Sequence, residues 1–365
     1  MRFLVLVTDA FGGRGGIAKF NRDLLTALCE CHNSETVVAF PRLIVESVGA
    51  LPAKLDYRSE SAGSKIVYVI AFLRYMIRHK NVDLIVCGHM HLLPLAILAR
   101  LLGLRAPIAL VIHGIEAWTV PRPLISKLLI KWVSAVLSVS RFTLQRFSSW
   151  AHPNGIRTHI LPNCVDLEHF TPGKKDPELL RQYGLEGKKV IMTLARLDAR
   201  ERYKGVDEVL EEMPALLKEM KELRYLIVGD GTDRKRLEIK ARSLGIAKTV
   251  IFAGHISESC KVDHYRLANA YVMPGYGEGF GITYLEALAC GVPAIGSCLD
   301  ASQEVLEANN LGVTVDPRNS LALRKAITDT VSGRSTAAVG QLEQYSVVAF
   351  QHRVSDFVDE FSRVK

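Results

Sequence analysis

The strongest constraint on this chain is an alternation of short, wholly apolar runs with longer helical patterns. In the first half the runs are Phe3–Val7, Val37–Phe40, Leu84–Cys87, Ile108–Ile112, Ala135–Val139 and Ile160–Leu161. In the second they are Val190–Leu194, Tyr225–Val228, Val250–Phe252, Ala270–Met273, Pro293–Gly296 and Val313–Val315. Runs that are apolar throughout, not at every second residue, mark strands covered on both faces and therefore parallel sheets. Their alternation with helices makes βαβ units. Two successive sets in 365 residues predict an α/β chain of two doubly wound domains, over 1–165 and 166–346. The break falls near Leu161-Pro162-Asn163-Cys164-Val165-Asp166, and a last helix, about Val347–Arg363 within 347–365, is expected to return to the first domain. Ligands of such sheets bind at the carboxyl ends of strands, so two sheets facing each other would enclose an interdomain cleft.

Charge narrows the function. Residues 1–165 carry 19 Lys and Arg against 9 Asp and Glu, and the remainder carries 27 against 29. A basic half suits an anionic bilayer or a phosphorylated substrate. Nucleic acid is not expected, because there is no zinc-finger spacing, no RNP-like run and no arginine-rich tract. No apolar run approaches the roughly 20 residues of a membrane-spanning helix. The apolar N-terminal run is too short, and too soon followed by Asp9, for a signal sequence. Seven cysteines without a CxxC pair or zinc spacing point to a reducing compartment, the cytoplasm, and to no metal site.

Three segments can carry chemistry. Phe11-Gly12-Gly13-Arg14-Gly15-Gly16-Ile17 follows the first strand and opens a helix near Ala18. Glycines there let a ligand approach the backbone, and the helix start offers N–H donors to an anion, with Gly15 and Gly16 as the phosphate-facing candidates. A tight turn alone is the other reading. Ala195-Arg196-Leu197-Asp198 ends a strand and leads into Arg202-Tyr203-Lys204-Gly205. Two cations on one loop can hold a diphosphate, the guanidinium as a fork and the ammonium as a point charge; a solvated charged loop is the alternative. The third segment, Tyr276-Gly277-Glu278-Gly279-Phe280-Gly281-Ile282-Thr283, leads into a helix that carries Glu286 and stops at Gly291. A continuous helix would hold Glu278 and Glu286 about 12 Å apart, beyond the ~5–9.5 Å of a glycosidase pair. Two acceptors gripping the two ends of a sugar nucleotide, with the N–H groups of Gly281, Ile282 and Thr283 between them, fit better than an acid–base couple; a solvent-facing Glu286 with Glu278 as a helix-dipole partner is the alternative.

Together these motifs resemble glycosyltransferase family 4, the retaining group 1 glycosyl transferases of GT-B fold, in which two doubly wound Rossmann-like domains face an interdomain cleft. The matching residues are Gly15-Gly16, Arg196…Lys204-Gly205, Glu278-Gly279-Phe280-Gly281 and Glu286-Ala287-Leu288-Ala289-Cys290-Gly291, supported by Tyr225–Gly231 and Phe252–Ile256. The resemblance implies an N-terminal acceptor-binding domain and a C-terminal nucleotide-sugar-binding domain. It implies Arg196 and Lys204 on the departing diphosphate in place of a metal, Glu278 on the donor-sugar hydroxyls and Glu286 on the ribose. Backbone around Ile256 would meet the base, Phe280 would belong to the donor site, and His113 of Val111-Ile112-His113-Gly114 would lie near the transferred sugar. Glu278, His113, Arg196 and Lys204 form the implied catalytic set. Two departures are visible, and one is Arg14 in the glycine loop, a further candidate for a phosphate or acceptor contact. Where the family often carries Gly-Gly before Pro-Glu, this chain has Cys298-Leu299-Asp300-Ala301-Ser302-Gln303-Glu304, so its donor sugar is not inherited from a typical member.

The expected activity is retaining, metal- and cofactor-independent transfer of a hexose from a UDP- or GDP-sugar, with UDP-glucose favoured. The acceptor would be a glycan or a lipid-linked molecule of surface-polysaccharide or glycolipid synthesis. The helical patterns Ile66–Lys80 and Leu124–Val133 carry Lys65, Arg74, Arg78, Lys127 and Lys131. Such basic faces can rest on the anionic inner face of a membrane, or can be ordinary sheet-covering helices with snorkelling cations. The functional alternatives are a GT-B-fold nucleotide-sugar epimerase and a catalytically dead sugar-nucleotide-binding protein.

Overall fold

The computed structural model describes residues 1–119, 123–307, 310–334 and 339–362, and the side chains of these except at 123–124 and 339–341. The chain divides into two compact units, Met1–Cys164 with Val347–Lys365, and Val165–Ser346.

The first unit is built on seven parallel strands. These are β1 (Arg2–Val7), β2 (Thr36–Pro41), β3 (Leu55–Tyr57), β4 (Leu84–Cys87), β5 (Ile108–Ile112), β6 (Ala135–Ser138) and β7 (Arg157–Ile160), in the order β3-β2-β1-β4-β5-β6-β7. Successive residues of a strand point to opposite faces, yet Phe3, Leu4, Val5, Leu6 and Val7 are all buried. Both faces are therefore covered, as uninterrupted apolar runs require. On one face Leu4 and Leu6 join Tyr68, Phe72 and Met76, which recur every fourth residue along the helix Lys65–Arg78. The helix Val347–Ser362 packs into this unit, its Phe350 ring edge-on to Phe20 of the helix Gly16–Glu30 at 5.7 Å.

The second unit holds six parallel strands, β8 (Lys189–Leu194), β9 (Leu223–Val228), β10 (Val250–Gly254), β11 (Ala270–Val272), β12 (Ala294–Ser297) and β13 (Gly312–Val315), in the order β10-β9-β8-β11-β12-β13. Its core gathers Ile191, Tyr225, Ile227, Val272 and Ile295 under Leu210, Met213 and Leu323.

All twelve expected strands are present. The unexpected one is β3, three residues with Asp56 at the centre, too short and too polar to register as an apolar run. In each sheet the strand order reverses once, between β1 and β4 and between β8 and β11. The carboxyl ends of those strands are the place where open α/β sheets hold ligands.

Candidate functional site

In the second unit the loops after β8 and β11 flank the reversal, and they carry the two central motifs. They are packed backbone to backbone. Tyr276 N–H donates to the Tyr203 carbonyl at 2.9 Å. Gly205 adopts φ +83°, and a Cβ there would stand 2.7 Å from the Pro274 carbonyl carbon, so the approach admits glycine alone. This packing delivers Lys204 Nζ to Glu278 Oε2 at 2.6 Å. Burial works against the Lys204 charge, but the adjacent Glu278 prevails and holds the ammonium above its ordinary range. Arg196 lies at the end of β8 with its side chain 68% exposed, paired with Glu201 at 2.7 Å rather than joined to Lys204. It is free to leave a surface pair worth little.

Glu278 lies in a loop. The helix starts at Ile282, after Gly281 at φ +90°, where a Cβ would strike the Tyr284 ring at 2.3 Å. The first N–H groups of a helix have no partner within it, so the turn at Gly281, Ile282 and Thr283 presents main-chain donors a few residues beyond Glu278. Phe280 is buried, its ring edge-on to Tyr345 at 5.8 Å. Glu286 is buried on the same helix, accepting from Tyr265 Oη at 2.7 Å and Lys261 Nζ at 3.4 Å. Burial opposes the Lys261 charge, and Glu286 with Glu258 outweighs it. Two donors thus hold the Glu286 carboxylate, which has more acceptor positions than these two contacts use. Ile256 follows β10, two strands from the reversal, and is half-buried.

Sequence reasoning placed Asp300, with Ser302, where the chain departs from the family pattern at the donor contacts, without revealing its partners. It is buried, and its oxygens accept from Glu278 N–H at 2.9 Å and Ser302 N–H at 3.0 Å. Lys261 and Tyr265 were missed altogether, since each acts through Glu286 from another helix.

In the first unit the glycine loop follows β1. Gly15 has φ +87° with open space where a Cβ would be, and it caps the helix Gly16–Glu30. The exposed N–H groups of that first turn are available to an anion. Gly13 serves packing instead, crowded by Asp9 and Ala18. His113 follows β5, buried, with Nε2 2.9 Å from the Gly88 carbonyl. A carbonyl only accepts, so Nε2 carries the proton and Nδ1 is left as an acceptor. Burial lowers its basicity and keeps the ring neutral. His89, after β4 at the reversal, was missed. Burial pushes its pKa down to about 4, and its Nδ1 accepts from His91 N–H at 3.1 Å.

The helix Lys65–Arg78 turns Ile66 and Ile77 outward, 70% and 76% exposed, among the exposed cations Lys65, Arg74 and Arg78. A surface groove of about 540 Å³ beside it is lined by Arg58, Val67, Ile70, Arg74 and Arg78. The helix Pro123–Ile130 likewise exposes Ile125 and Leu128 near Lys127. Among the described residues no helix is long and apolar enough to cross a membrane.

Two doubly wound units, each with its motifs at the strand reversal of its own sheet, define a GT-B glycosyltransferase architecture. The chain belongs to family 4 of the glycosyltransferases. Residues 14–169 match the model of Glycosyltransferase Family 4, and residues 175–341 that of Glycosyl transferases group 1. A GDP-mannose-dependent alpha-(1-6)-phosphatidylinositol monomannoside mannosyltransferase of Mycolicibacterium smegmatis is 33% identical over 56% of this chain and 55% of its own. The protein of the same description from Mycobacterium tuberculosis is 31% identical over 67% of this chain and 66% of its own. The chain thus spans between half and two thirds of these curated relatives. A sucrose-phosphate synthase from Thermosynechococcus elongatus shares the fold, with TM-score 0.79, 19% identity and full coverage of both chains.

Proposed function

We propose that this protein transfers a hexose from a nucleotide-diphosphate sugar to a lipid-linked or glycan acceptor, with retention at the anomeric carbon and without a metal ion. The observation that carries the reading is the Lys204–Glu278 pair at 2.6 Å beside the free helix turn at Gly281–Thr283, at the reversal point of the second sheet. One cation, one carboxylate and a row of N–H groups are what a sugar diphosphate needs. Lys204, with Arg196 released from Glu201, supplies the charge that a divalent ion supplies elsewhere. Glu278 accepts from sugar hydroxyls, and Glu286, held by Tyr265 and Lys261, accepts from ribose hydroxyls.

In the reaction the bond from the anomeric carbon to the diphosphate oxygen breaks on the face where the acceptor oxygen bonds. The acceptor's proton passes to the departing phosphate. Neutral His113 offers Nδ1 as an acceptor for a substrate hydroxyl. Gly15 and Gly16 offer N–H groups to phosphate.

For the donor, the resemblance alone leaned to UDP-glucose, whereas the two mycobacterial relatives are GDP-mannose-dependent mannosyltransferases. Their glycolipid acceptor, and the basic helix with outward isoleucines, support a protein that works in the cytoplasm against the membrane surface. The deciding experiment is turnover on a panel of GDP-mannose, UDP-glucose and ADP-glucose, with phosphatidylinositol mannoside as acceptor. We expect GDP-mannose to be used first and Glu278→Ala to abolish transfer while nucleotide still binds. Binding of donors with no turnover of any would instead favour a sugar-nucleotide-binding protein.

A further inference from the structure

Asp300 is a buried carboxylate held by the main-chain N–H groups of Glu278 and Ser302, not by a cation. Burying such a charge costs stability, so the fold alone gains little from it. Its contacts run to one place. Asp300 Oδ2 accepts from Glu278 N–H at 2.9 Å, and the neighbouring Ala301 N–H donates to the Glu278 carbonyl at 3.1 Å. Both main-chain polar groups of Glu278 are therefore held by residues 300–301. From the same turn Ser302 Oγ donates to Tyr284 Oη at 3.0 Å, and Tyr284 Oη donates to the Met273 carbonyl at 2.6 Å. The Tyr284 ring in turn lies under Gly281.

We propose that Asp300 is a positioning residue for the donor sugar: its carboxylate fixes the Glu278 main chain so that the Glu278 side chain meets the sugar hydroxyls. This rests on the donor-site reading above. The titratable groups facing Asp300 are Glu278 and the neutral phenol of Tyr284, with Lys204 behind Glu278. Burial, with Glu278 adding to it, pushes the Asp300 carboxyl up to about 6. The ionised, tightly holding form is thus present above that pH and lost below it.

The test is calorimetric binding of GDP-mannose, UDP-glucose, GDP and UDP to wild type, Asp300→Asn and Lys204→Ala. Loss of one charged acceptor predicts about tenfold weaker binding of the sugar nucleotide by Asp300→Asn at pH 8, with free GDP and UDP affinity unchanged. The gap between wild type and Asp300→Asn should close at pH 5. Lys204→Ala should weaken sugar nucleotide and free diphosphate alike. Equal losses for both ligands in Asp300→Asn, or no loss, overturn the proposal. If Asp300→Asn melts too early for the assay, the wild type decides alone: sugar-nucleotide affinity constant from pH 5 to 8 overturns it. Wild type binding neither GDP nor UDP overturns the functional reading itself.

Discussion

Lys204 and Glu278 are 74 residues apart and meet because two glycines, Gly205 and Gly275, let their loops touch. Their attraction leaves the lysine charged at every working pH. A diphosphate arriving at this ammonium gains a charged hydrogen bond, for which about 1.5–3 kcal/mol is typical. Lys204→Ala should lose that much affinity for GDP or UDP in calorimetry, and an unchanged constant would reject its role. The residue types and spacing of this pair were legible because each sits at a strand end inside a recognisable motif. That they would pair with each other was not, since nothing in the sequence encodes the Tyr203–Tyr276 backbone contact. How Asp300 and Lys261 make contact was hidden for a related reason. They touch the site through a main-chain N–H and through Glu286, and such contacts leave no periodic trace.

At the scale of elements, strands covered on both faces announce themselves, and short polar edge strands such as β3 do not. The helix Lys65–Arg78 divides its residues unambiguously: Tyr68, Phe72 and Met76 inward, Ile66 and Ile77 outward. Snorkelling cations would account for Lys65, Arg74 and Arg78, but not for two isoleucines left in water. Each would gain about 1.5–3 kcal/mol on burial, and each cation near an anionic surface about 1 kcal/mol. Ile66→Ser with Ile77→Ser should cut binding to phosphatidylglycerol vesicles at least tenfold in flotation. Arg74→Ala with Arg78→Ala should remove the difference between anionic and neutral vesicles. Flotation unaltered by either pair would assign this face to solvent. The second unit's strands carry no comparable burden, since its charge is nearly balanced.

For the whole molecule, the informative fact is that each unit has its own core and its own sheet reversal. The helix Val347–Ser362 belongs to the first unit and sets Phe350 edge-on to Phe20, a contact the sequence alone did not identify. A ligand that binds one folded unit stabilises that unit by mass action, by about 2.7 kcal/mol when present at a hundred times its Kd. If Lys204, the turn at Gly281 and Glu286 hold the nucleotide, saturating GDP or UDP should slow amide hydrogen exchange most strongly within 165–346. The greatest protection is expected in the segments after β8 and β11 and in the helix Ile282–Ala289. Arg196, leaving Glu201 for the diphosphate, should carry its loop into the protected set. Protection that is strongest within 1–164 would move the nucleotide to the glycine loop at Gly15 and Gly16 and leave Lys204 and Glu278 without their assigned ligand.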